Sequence, residues 1–75
     1  MSTYWIVLVP EEEGGFSVFV PALPGCFAQG ETREGAIAMA KEAIELHLES
    51  LRAHGEPIPL DLIEVTAVEV KVPAA

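Results

Sequence analysis

FSVFVPALPGCFAQGET, residues 16–32, decides how the rest of the chain is arranged. Phe16, Val18 and Val20 alternate with Ser17 and Phe19, the period of two expected of a strand with one buried face. Pro21 ends that run, because it lacks the backbone donor a continuing ladder needs. Pro24 and Gly25 form a turn dipeptide, the proline presetting its own φ and the glycine accepting a positive one. The chain therefore reverses, and Cys26, Phe27, Ala28 and Gln29 read as a short third strand. Gly30 loosens the backbone, and Thr32 can turn its hydroxyl onto the first free amides of a helix.

Upstream, YWIVLV at 4–9 is an unbroken apolar run of aromatic and β-branched residues, which predicts a central strand covered on both faces. Pro10 and the acids Glu11, Glu12 and Glu13 end it, and Gly14-Gly15 supplies the dihedrals for a hairpin back into Phe16. Downstream, the period lengthens to about 3.6: Ile37, Ala40, Ile44, Leu48 and Leu51 form one apolar stripe, with Glu34, Lys41, Glu42, Glu45, Glu49 and Arg52 on the other faces. Glu34 suits the positive end of the helix dipole and Arg52 the negative end. Gly55 is the expected C-cap, while Gly35 stands where a capping-box glutamate would be, at a cost of up to ~1 kcal/mol. Residues 56–61 form a proline-stiffened connector. A last strand is expected over 63–72, with Val68, Val70 and Val72 on one parity and Ile63 and Val65 on the other. The buried face then switches near Thr66-Ala67, through a bulge or through burial of both faces in an oligomer. Residues 73–75 should fray.

The order βββαβ predicts an α+β fold of two layers, one helix packed on a four-stranded sheet, as a single domain over 1–75. A right-handed crossover that brings the last strand beside the first gives the sheet order 3-2-1-4.

A chain of 75 residues can bury only about 60% of its unfolded surface. With 51% of its residues apolar, part of that surface is expected to meet another chain, self-association being the default. Twelve acids against four bases leave a net charge of −8. That balance argues against nucleic acid as a direct ligand, since phosphate contacts need a basic footprint, and fits a basic protein partner. Cys26 is the single cysteine, so no intramolecular disulfide can form. Neither a signal peptide nor a membrane span is expected: the longest uncharged run, 14–30, carries two prolines and four glycines and falls short of the ~20 apolar residues required. The placement expected is cytoplasmic.

Chemistry-bearing residues are sparse. A nuclease on a strand-and-helix scaffold needs clustered carboxylates, usually one on a central strand, and the first strand has none. Glu31 and Glu34 can meet near the helix start but read as solvated first-turn acids. His47 and His54 stand two helical turns apart, roughly 10 Å by rise, too far to share a metal. Cys26 reads as a buried, inert thiol, and the turn glycines do not form a phosphate-cradling loop. Trp5, Phe16, Phe19 and Phe27 read as core or dimer contacts. No catalytic residue, cofactor or metal ligand is assigned.

The segment EEGGFSVFVPALPGCFAQGET, followed by REGAIAMAKEAIELHL, resembles the HicB family of antitoxin-like proteins. The likeness covers roughly 4–51 and rests on the glycine hairpin, the P-x-L-P-G-C corner at 21–26, the Gly30-Glu31-Thr32 helix start and the alanine-rich helix, with GEPIP at 55–59 as its continuation. It implies a partial ribonuclease H-like fold without nuclease activity, and a role in binding and blocking a small basic HicA-type mRNA-cleaving toxin. Gly35 departs from the family pattern. So does the end of the chain after the fourth strand, where full-length antitoxins usually add a DNA-binding segment. The function expected is that of a non-catalytic, antitoxin-type binder that forms a dimer or tetramer, with Glu11, Glu12, Glu13, Glu31 and Glu34 as the footprint of a basic partner. The alternatives are a vestigial ribonuclease H-like nuclease using Glu12, Glu31 and Glu34, and a self-associating interaction module.

Overall fold

A computed structural model describes residues 2–74 of the chain. The hairpin forms as its glycines require. Gly14 and Gly15 take φ of 103° and 81°, the Glu11 amide donates to the Gly15 carbonyl at 2.9 Å, and the Gly14 amide donates to the Glu11 carbonyl at 3.0 Å. This turn pairs β1 (Val7–Pro10) with β2 (Phe16–Phe19) in antiparallel register, Val7 opposite Phe19 and Pro10 opposite Phe16.

The corner that follows consists of two successive turns, Leu23 N–H to Val20 O and Cys26 N–H to Leu23 O, each 3.0 Å, with Gly25 at φ 84°. It also fills the core: Leu23 is fully buried, and with Val20 and Cys26 it packs against Tyr4, Ile6, Ala43, Ile44 and Leu48. The chain then pairs β3 (Phe27–Gly30) antiparallel to β2, Phe19 opposite Phe27 and Phe16 opposite Gly30. A second cluster of Val18, Ala36 and Ala40 joins the sheet to the helix. Val18 and Leu23, the largest fully buried side chains, each contribute about 1.5–3 kcal/mol by burial.

The helix α1 runs from Arg33 to Ala53. Thr32 caps it in extended conformation, its Oγ1 accepting from the Gly35 amide at 3.0 Å. Thr32→Ala removes that acceptor, and a loss of about 1 kcal/mol in urea-unfolding free energy is expected. At the other end Gly55 takes φ 69°, its amide donates to the Arg52 carbonyl, and the Glu56 amide reaches the Leu51 carbonyl. This is the Schellman arrangement, in which a left-handed glycine lets two otherwise orphaned carbonyls find donors. The face pressed deepest onto the sheet is Ala36 and Ala40, because small residues let helix and strands approach closely. Ile37, Ile44, Leu48 and Leu51 of the expected stripe are only half-buried.

The sheet differs from expectation at its edge. Three strands form in the order β1-β2-β3, so among the described residues the order 3-2-1-4 is not completed and β1 is an edge strand. Tyr4, Trp5 and Ile6 carry no ladder because β2 ends opposite Val7 and turns into the proline corner. The connector is fastened beside them. The Tyr4 hydroxyl donates to the Pro59 carbonyl at 2.6 Å, and the Trp5 amide donates to Asp61 Oδ2. Asp61 Oδ1 accepts from the Ile63 amide at 3.0 Å, turning the chain outward. Residues 64–74 are then exposed at every position, with neither strand nor bulge. A strand pattern is local, whereas the edge that would receive it is not, and Asp61 directs this segment away from its own sheet. Of the tail expected to fray, Ala75 lies outside the described residues.

Candidate functional site

The register that builds the sheet also gathers the acids. Because Pro10 and Gly30 both stand opposite Phe16, the hairpin tip and the β3–α1 junction meet at one end of the sheet. Gly15 makes the fit close: a Cβ there would lie 2.8 Å from the Gly30 carbonyl oxygen. Between them is a shallow groove of about 690 Å³ whose lining includes Glu11, Glu12, Glu13, Phe16, Gln29 and Glu31. The Ser17 hydroxyl donates to Glu11 Oε1, which orients that carboxylate.

Four of the five acids singled out from the sequence therefore share one groove, all of them exposed. Glu34 lies in the first helical turn, exposed and outside the groove's lining. Gln29 and Phe16 are the residues the sequence reading missed, and the strand register is what places them there. Like charges gathered in a concave surface focus a negative potential, which attracts cationic groups and speeds their encounter. The groove's means of binding are carboxylate acceptors, the Gln29 amide and a half-buried aromatic ring.

No group of three or more His, Cys, Asp or Glu side chains is placed to hold a metal ion among the described residues. The acids proposed for a nuclease thus form no ligand set there. The His54 Nδ1 donates to the Ser50 carbonyl at 2.7 Å at the end of α1. Cys26 lies in the core, and burial pushes its thiol above the ordinary value. Its contribution to stability is present below the unfolded-state pKa and is lost as the pH rises through the folded one. Alkylation of Cys26 at pH 8 is expected to be much slower in the folded protein than in urea, as followed by intact mass. Equal rates would show that the thiol is accessible.

The aromatics divide between the two faces of the sheet. Phe16 packs toward Val18, Ala36 and Ala40. Trp5, Phe19 and Phe27 are 56%, 51% and 65% exposed, and Val7, Phe19 and Phe27 form one cross-strand row on the face away from the helix. No helix among the described residues is long and apolar enough to cross a membrane.

Residues 4–72 match the family model described as the HicB-like antitoxin of bacterial toxin–antitoxin systems. The chain is 46% identical to a UPF0150 protein of Thermoplasma acidophilum, the alignment covering 87% of this chain and 94% of that one. It is 42% identical to a UPF0150 protein of Synechocystis, over 92% of this chain and 87% of the relative. It is also 42% identical to a protein of Photorhabdus laumondii named antitoxin HicB 1, over 76% of this chain but 37% of that longer protein.

Proposed function

The chain belongs to the HicB-like antitoxin family of bacterial toxin–antitoxin systems, and from that premise we propose that it is a non-catalytic protein that neutralises a small basic HicA-type mRNA-cleaving toxin. The observation that carries the reading is the convergence of Glu11, Glu12, Glu13 and Glu31 on one open groove. A basic partner meets complementary potential there, with Glu34 extending the acidic surface past the groove toward the helix start. The protein needs no cofactor for this role and acts in the cytoplasm, where the toxin's substrate is.

The same reading includes a homo-oligomer, supported by the exposed apolar row of Val7, Phe19 and Phe27. It also includes the partial ribonuclease H-like sheet, with 63–72 as a fourth strand once the chains assemble. Co-expression with a HicA-type toxin tests the function. The expected result is a complex that co-purifies and restores growth; toxicity unrelieved by the antitoxin, with no complex recovered, would overturn the reading.

A further inference from the structure

The chain exposes 6431 Å², whereas a compact monomer of its 8.0 kDa exposes about 4,500 Å². Its radius of gyration is 15.2 Å, against about 11 Å for a compact domain of this length. Exposed apolar side chains are concentrated in the arm after Asp61. Val65, Val68, Val70 and Val72 are 67–86% exposed, although the segment has the β-branched alternation of a strand.

A vacant place of matching kind exists in the same fold. Among the described residues, no strand pairs with the outer edge of β1. Beside it, a second groove of about 530 Å³ opens between the start of the chain and the helix, lined by Tyr4, Ile6, Ile37, Lys41, Ile44 and Leu48 among others. A strand added to β1 would lay alternate side chains into this apolar groove and satisfy the edge. The chain's own arm is turned away from that place by Asp61, which holds the Trp5 and Ile63 amides together.

We propose that residues 63–72 of one copy add as the fourth strand to the β1 edge of a second copy, reciprocally, closing the groove between β1 and α1 in both. The inference rests on the homo-oligomer reading above and specifies how it is built. Ten residues of strand span ~33 Å, ample to cover 4–10. An excess of about 2,000 Å² per chain, some 4,000 Å² for a pair, lies within the range of obligate homodimer interfaces. Exchange also accounts for the change of parity along the arm. One parity faces the helix-side groove and the other the outer face, where Trp5 and Val7 stand exposed, so apolar residues are useful on both sides.

Two measurements on the full-length chain test this. Sedimentation is expected to give twice the 8.0 kDa chain mass or a higher even multiple, with amides 64–72 protected from hydrogen exchange and losing that protection on dilution. Amine cross-linking of a mixture of ¹⁴N- and ¹⁵N-labelled chains is expected to join Lys71 of one copy to Lys41 of another, giving mixed-isotope peptides. The double variant Val68→Asp/Val70→Asp is expected to sediment as a monomer with unchanged helical circular dichroism. An oligomer whose arm amides exchange freely would overturn arm exchange and leave the homo-oligomer reading standing. A monomer, whether its arm is open or closed in cis with only unmixed cross-links, would overturn both.

Discussion

Gly30→Ala is expected to lower the unfolding free energy by at least 2–3 kcal/mol, the largest effect of any single methyl group in this chain. The added Cβ would lie 2.4 Å from the Ala36 nitrogen, 2.6 Å from its Cα and 2.9 Å from the Gly35 carbonyl carbon. All three are backbone atoms of the first helical turn, so no side chain can swing aside, and β3 and α1 must separate. Overpacking of this kind costs about 1–3 kcal/mol and occasionally more. A chain of this length has about 4–11 kcal/mol in all, so the urea midpoint should fall steeply at nearly constant slope. Gly25→Ala provides the comparison: nothing lies within 4 Å of its Cβ, and its cost is the ~1–2 kcal/mol of a left-handed backbone. A Gly30→Ala midpoint equal to wild type would show that the strand and helix are not in that contact.

Reversing Glu11, Glu12 and Glu13 together to lysine is expected to slow association with a basic HicA-type toxin by about 10- to 1,000-fold at low salt. The three side chains are exposed, so desolvation is a small part of their effect and the change should fall mainly on the association rate. The salt-dependent slowing should be lost as well, because the attractive field that salt screens is gone. A glutamine triple variant, which removes charge without reversing it, should fall between. Stopped-flow association at two ionic strengths checks this; rates unchanged by reversal would place the toxin elsewhere on the surface.

Much of the framework was legible because its signals are local. Gly14-Gly15 predicts the hairpin, Pro24-Gly25 the corner, Thr32 and Gly55 the two ends of the helix, and each is found in that role. In the sequence the corner signals a change of direction only. That Leu23 at its centre is a fully buried part of the core depends on what the corner folds against. Gly30, whose sequence context suggests only a loosened backbone, is instead demanded by the close approach of the first helical turn, and no neighbour in sequence signals it. Likewise YWIVLV has the composition of a doubly covered central strand, yet β1 stands at an edge with Val7 and Val9 exposed. Composition records that a segment is apolar and not which neighbours the fold gives it.

The acidic site followed the same division. Glu11, Glu12 and Glu13 are adjacent in sequence, so their clustering needs no fold. Glu31 joins them only because Phe16 pairs with both Pro10 and Gly30, and Glu34 is carried one step too far by the turn into the helix.

The most direct test of the account is the RNA-cleaving activity of a purified HicA-type toxin titrated with the full-length protein. Cleavage falling to background at a fixed stoichiometry, with the lysine triple variant requiring a large excess at low salt, is the result predicted. Undiminished cleavage in the presence of excess wild-type protein would contradict it.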